Sequence, residues 1–389
     1  MEFEPWMLLV FPLFFGMGWL AARRDIKQLV DESSALPNSY FQGLNFLLNE
    51  EQDKAIDAFI EVVKVDPQTV ELHFALGSLF RRRGEVDRAL RMHLNLVERG
   101  DLPKDKKIQA LFELAQDYLK AGILDRAEQA LRKLLDTDYA GQALDFLLEL
   151  YQKEKDWQKA IEVTQRQRAL GGQTESPEAA FFYCELASEA LARQETEQAR
   201  ALLQQALQEH PASVRATLLL GDLEREQPER AIAAWQRIEQ QNPHYLPLAA
   251  ERLMQAYRAL GREEEGIAQL SEYQAHYPSL DLMNILYDAV RQRHGVEAAY
   301  ALLREELKLH PSLLGLEKLL EARLLDAPED RRPDVELVKN LVHQRTRALA
   351  MYRCTRCGFK ARNFHWHCPA CHGWDTTPPR RTEETGVPL

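Results

Sequence analysis

Between about residue 36 and residue 311 apolar and polar positions alternate with the period of amphipathic helices, and the whole pattern recurs. Its clearest marker is a small residue inside an apolar stripe: Ala55, Ala89, Ala127, Ala160, Ala199, Ala231, Gly266 and Ala299, at spacings of 34, 38, 33, 39, 32, 35 and 33. Four residues later, on the same helical face, stand the larger Phe59, Leu131, Leu203, Trp235, Leu270 and Leu303. Upstream, small residues recur on a preceding helix at Gly43, Gly77, Ala115 and Ala187. Downstream, Pro67, Pro211, Pro243, Pro278 and Pro311 follow five of the markers by twelve residues, where each would end one helix and open the next unit. The pattern predicts antiparallel helix pairs that approach closely at the small positions and fill the space between units with the larger ones.

The stretches "LGSLFRRRGEVDRALRMHL" and "LGDLEREQPERAIAAW" repeat one another with a turn shorter by two residues in the second. Together with the period, they resemble the tetratricopeptide-repeat family. That resemblance implies an all-α superhelix with a concave groove for proteins or peptides. Eight repeats are expected within an array at 36–325, capped by a degenerate helical pair around "LLGLEKLLEARLL". The array carries no Gly-rich phosphate loop, no HExxH and no G-x-S-x-G, so no catalytic constellation is evident. Tyr40 and Phe41, with Phe46 and Leu47, offer an apolar anchor for a partner, and Arg81 and Arg82, with Arg83, Arg88 and Arg91, offer charge for its acidic residues. The competing reading of those arginines is a solvated helix face.

The chain opens differently, with an uncharged run from Pro5 to Ala22 that would span about 27 Å as a helix, close to the thickness of a bilayer core. Glu2 and Glu4 precede the run, and Arg23, Arg24 and Lys27 follow it. That charge order suits a retained anchor better than a cleaved signal. Residues 1–22 are therefore expected to be a transmembrane anchor and 23–35 a juxtamembrane linker, with the N-terminus periplasmic and the bulk of the chain cytoplasmic by the positive-inside rule.

A cytosolic location decides how the cysteines read. Four of the five lie in "CTRCGFKARNFHWHCPACHGW", as Cys354, Cys357, Cys368 and Cys371, two C-x-x-C pairs separated by ten residues. In a reducing compartment this spacing favours one tetrahedral metal ion, iron or zinc, over two disulfides. Gly358 and Gly373 would supply the freedom that tight metal-binding turns need, and Phe359, Phe364 and Trp366 would cover the ion. A histidine, His365, His367 or His372, replacing a cysteine and leaving an open catalytic position is the sharper alternative, and electron transfer through iron is another. Cys184 reads as core filling. The helix beginning at Pro333, within a connecting segment 326–350, should dock its stripe of Val335, Val338, Leu341 and Val342 on the last repeats. The metal domain is placed at 351–376 and a flexible tail at 377–389. A formal net charge of -11 argues against general nucleic-acid binding.

The anchor with its Arg-Arg flank, the long array and "YRCTRCGFKARNFHWHCPACHGW" together resemble the lipopolysaccharide assembly protein B family of Gram-negative bacteria along the whole chain. The resemblance implies a rubredoxin-like terminal module with Cys354, Cys357, Cys368 and Cys371 at its four metal-ligand positions. It also implies a non-enzymatic inner-membrane adaptor in lipopolysaccharide biosynthesis. In that family the adaptor promotes degradation of the lipid A pathway deacetylase by the membrane protease FtsH and is restrained by an inner-membrane lipopolysaccharide sensor protein. A general envelope-assembly scaffold shares every sequence feature named here, and self-association stays open.

Overall fold

The structure, a computed structural model, describes residues 38–49, 51–65, 70–171, 177–326 and 328–385. The expected anchor and juxtamembrane linker lie outside the described residues, and no helix among the described residues is long and apolar enough to cross a membrane. The chain divides into two compact units, Met1–Leu150 and Tyr151–Leu389.

Each marker sits at the fourth position of the second helix of a pair. Those second helices are Gln52–Val65, Val86–Glu98, Leu124–Arg132, Trp157–Gly171, Thr196–Glu209, Pro228–Gln241, Glu263–His276 and Val296–Leu309. The marker N–H makes the first four-residue hydrogen bond of its helix, to the carbonyl of the residue just before the helix, as from Ala89 to Glu85, Ala199 to Glu195 and Gly266 to Arg262. All seven marker alanines have 0% exposure, as a close helix approach at the recurrent small residue requires. At Gly221 this approach is absolute: a Cβ would lie 2.2 Å from the Trp235 ring nitrogen, which instead donates to the Leu218 carbonyl at 3.2 Å.

In the first unit, Ala55, Phe59, Leu72, Leu76, Phe80 and Ala89 form one apolar cluster. The large position of the second repeat belongs to a histidine: His93 is fully buried against Gly77, and its Nδ1 lies 2.5 Å from Asp117 Oδ2. Asp117, also fully buried, is held by Arg81 Nη1 at 2.8 Å, while Arg81 Nη2 reaches Glu113 at 2.6 Å. A buried carboxylate needs such partners, and two neighbouring repeats are joined by them.

In the second unit an apolar cluster runs continuously from Val214 to Ala322. The capping pair is Leu313–Asp326 with Arg332–Thr346. Its second helix adds polar contacts to the expected apolar docking, His343 and Thr346 each reaching Glu317 at 2.5 Å. Val338 and Leu341 stay exposed at 46% and 56%, so the expected apolar stripe is only partly used.

The expected flexible tail is another correction as far as residue 385. Arg381 pairs with Asp281 at 2.8 Å, and the Thr382 N–H bonds the Met351 carbonyl at 2.8 Å. The Glu383 carboxylate accepts from the Leu313 and Leu314 N–H groups at 2.5 and 3.0 Å, capping a helix start where negative charge is favoured. Residues 386–389 lie outside the described residues.

Candidate metal centre and its seat on the repeats

Two short strands, β1 (Tyr352–Arg353) and β2 (Lys360–Ala361), pair antiparallel and close the first cysteine turn. Each turn has the same frame. The Cys354 N–H bonds the Phe359 carbonyl and the Gly358 N–H bonds the Cys354 carbonyl; in the second turn the Cys368 N–H bonds the Gly373 carbonyl and the His372 N–H bonds the Cys368 carbonyl. The residue after the second cysteine takes the left-handed conformation, Gly358 at φ 76° and His372 at φ 54°. Gly373 therefore does not supply the expected turn freedom. It is instead required by space, since a Cβ there would lie 2.7 Å from Thr376 Cγ2.

The frames bring the four sulfurs of Cys354, Cys357, Cys368 and Cys371 within 4.8 Å of one another. Cys354 and Cys371 are 3.8 Å apart and Cys357 and Cys368 3.7 Å. A tetrahedron with metal–sulfur bonds of about 2.3 Å has sulfur–sulfur edges of about 3.8 Å, so this donor set fits one ion. Burial opposes ionisation of Cys354, yet the Thr376 hydroxyl and the N–H groups of Cys357 and Arg356 outweigh it and hold the thiol down to about 6. The Phe359 N–H favours the Cys357 thiolate, but desolvation and three adjacent sulfurs push that thiol up to about 12. Four sulfurs so close become thiolates together only around a cation. The three histidines are not in the ligand group, and His367 Nε2 is occupied with the His372 carbonyl at 3.1 Å. Zinc and iron both accept four thiolates in a tetrahedron.

The ribbon's aromatic residues do not wrap the ion as expected. Trp374, Trp366 and Phe364 face the repeats. Trp374 stacks on Phe181 at 5.2 Å and meets Trp157 and Phe182 edge-on, both at 5.9 Å. Trp366 stacks on Tyr245 at 5.4 Å, and Phe364 meets the same ring edge-on at 6.3 Å. Tyr245 also donates its hydroxyl to Asp375, and burial beside that carboxylate raises the phenol above its ordinary range. Trp374 Nε1 donates to Gln152 at 3.2 Å. Tyr352 donates to Asp281, the carboxylate that holds Arg381, at 2.6 Å. Phe359, the third aromatic named for the ion, is partly exposed, at 38%.

Phe181, Tyr245, Asp281 and Trp374 were not singled out by spacing. The available signal was an aromatic excess on repeat helices, "FFY" at 181–183 and Tyr245 after Pro243, beyond what the repeat pattern requires. Among the residues expected to meet a partner, Arg81 is engaged inside the fold with Glu113 and Asp117. Arg82 and Phe41 are exposed, and the Tyr40 side chain lies outside the described residues. Cys184 is fully buried, its thiol pushed up to about 12 by burial, as suits core filling.

Comparison with known proteins bears on both parts. Residues 352–378 match a family described as rubredoxin metal binding domain, and residues 42–100 and 184–229 match the tetratricopeptide repeat. Lipopolysaccharide assembly protein B of Escherichia coli K12 is 36% identical over 380 residues, covering 96% of this chain and 98% of that protein. Its namesake in Haemophilus influenzae is 32% identical over 391 residues, covering 97% and 98%. The solved TPR2AB-domain:pHSP90-complex of yeast Sti1 overlaps 70% of this chain and 96% of that one at 15% identity, with a TM-score of 0.32, too low to add to the reading. With helical repeats, a four-cysteine ribbon and full-length likeness all in one chain, this protein belongs to the lipopolysaccharide assembly protein B family.

Proposed function

We propose that this chain is a membrane-anchored, non-enzymatic adaptor in lipopolysaccharide biosynthesis that presents the lipid A committed-step deacetylase to the protease FtsH and answers to an inner-membrane lipopolysaccharide sensor. The observation that carries the reading is the 36% identity to a protein named for lipopolysaccharide assembly across 96% of the chain. The apolar run from Pro5 to Ala22 supports the tether, which would raise effective concentration beside a membrane protease. Tetratricopeptide repeats support a role in holding proteins. A donor set of four thiolates completes a tetrahedron without an open position, which supports a metal that orders structure.

The test is removal of the gene and its replacement by a version lacking residues 1–22. Deacetylase abundance should rise when the gene is lost, fall when the full chain returns, and stay high with the truncated form. Crosslinking in cells should recover both the deacetylase and FtsH. Unchanged deacetylase turnover, with neither protein recovered, would leave the envelope-scaffold reading and remove this one.

A further inference from the structure

Helix Arg332–Thr346, the second of the capping pair, carries two stripes at the same spacing. Val335, Lys339, Val342 and Thr346 form the inner one, buried or half-buried beside helix Leu313–Asp326, where Lys339 pairs with Glu321 at 3.4 Å and Thr346 reaches Glu317. Asp334, Val338, Leu341 and Arg345 form the outer one, and all four are exposed. Leu337, at 60% exposure, widens its apolar centre. No other helix among the described residues exposes three large apolar side chains. Single exposed apolar residues are ordinary, but a contiguous set on one helix face calls for a cover.

The order of the outer stripe restricts what that cover is. Steps of four, three and four residues from Asp334 to Arg345 are the spacing at which two helices interlock knobs into holes. Reversed, the stripe is its own complement. With a twofold axis between Lys339 and Asn340, Val338 of one copy lies over Leu341 of the other and Asp334 over Arg345, and each pair occurs twice. A parallel pairing would instead set Asp334 against Asp334 and Arg345 against Arg345, like charges in contact. Neither charge is used within the chain: the ion pairs of this helix are made by Lys339 with Glu321 and by His343 with Glu317, and Asp334 and Arg345 make none among the described residues.

We propose that this outer face is an isologous self-association surface, on which two copies of helix Arg332–Thr346 cross antiparallel with Val338 and Leu341 at the centre and an Asp334–Arg345 ion pair at each end. A helix of fifteen residues is about 22 Å long. Two helices of that length bury less than the roughly 1,200 Å² of a standard stable interface, so the contact belongs to the weak, reversible class. The surface stands on this pattern whichever proteins the repeats serve.

The test is sedimentation velocity of the full, metal-loaded chain in nonionic detergent over a concentration series, which should show a reversible equilibrium between monomer and dimer. Leu341→Gln, at an exposed site, should weaken association at least tenfold with metal content and circular dichroism unchanged. Asp334→Arg and Arg345→Asp should each weaken it at least fivefold, since either one sets like charges at both ends. Mixing the two single variants should restore association, because the mixed pair again has opposite charges at both ends, and the chain carrying both exchanges should recover it alone. A chain that stays monomeric throughout would overturn the proposal and leave the stripe to a different partner. A dimer that withstands Leu341→Gln would overturn it by placing self-association elsewhere, and single charge variants that associate no better mixed than alone would exclude the antiparallel pairing.

Discussion

In the repeat pairs, an apolar stripe meets its partner within one unit: Trp235 fills the space over Gly221 only fourteen residues away, and Phe80 and Ala89 share a cluster across one turn. In the ribbon, the aromatic rings find their partners only across long stretches of chain, Trp366 on Tyr245 and Trp374 on Phe181. The repeats carry their core with them. The ribbon is too small to have one and depends on two external supports, an ion on one side and a repeat surface on the other. A module built this way reports on both supports at once, so loss of either should be felt at the other.

That contrast can be broken most strongly at the ion. Replacing Cys354 and Cys368, the two fully enclosed ligands, by serine should abolish metal binding, forfeiting on the order of 10 kcal/mol, and should unfold the ribbon while the repeats remain helical. Metal analysis with far-ultraviolet circular dichroism checks this, and the same metal analysis of the natural chain distinguishes iron from zinc. Trp374→Ala attacks the other support. It should cost about 3 kcal/mol through lost aromatic packing, read as faster metal release to a chelator with the ligands intact. A repeat can be strained in isolation by Gly221→Ala, whose new Cβ meets the Trp235 ring; about 1–3 kcal/mol of destabilisation is expected, with metal release unchanged. Smallest should be Leu341→Gln on the exposed face of helix Arg332–Thr346, within about 0.5 kcal/mol by denaturant titration.

The same contrast explains what could be read from the sequence. Spacing alone located the marker positions, since a residue four places into a helix and buried at a helix crossing is confined to small side chains in every repeat. It also located the four cysteines, whose turns are local and fixed by backbone hydrogen bonds. His93 escaped because a histidine in a large apolar position looks polar until Asp117, on the next repeat, is seen to hold it. The exposure of Val338 and Leu341 escaped for the opposite reason: helical period marks an apolar stripe without saying whether anything covers it. The seat of the ribbon escaped because it rests on contacts between distant segments, such as Asp375 with Tyr245 and Glu383 with Leu313, which no periodic signal carries.

Hydrogen exchange across the chain, with the metal bound and after its removal, tests most directly whether the ribbon is a module held jointly by ion and repeats. On removal the amides of Cys354, Cys368 and His372 should lose protection. Helices Pro177–Ala192 and Leu246–Ala259, which carry or adjoin the seat, should exchange faster locally, and helix Val70–Arg82 should stay as it was. A ribbon that stays protected without metal, or a seat whose exchange does not change, would contradict it.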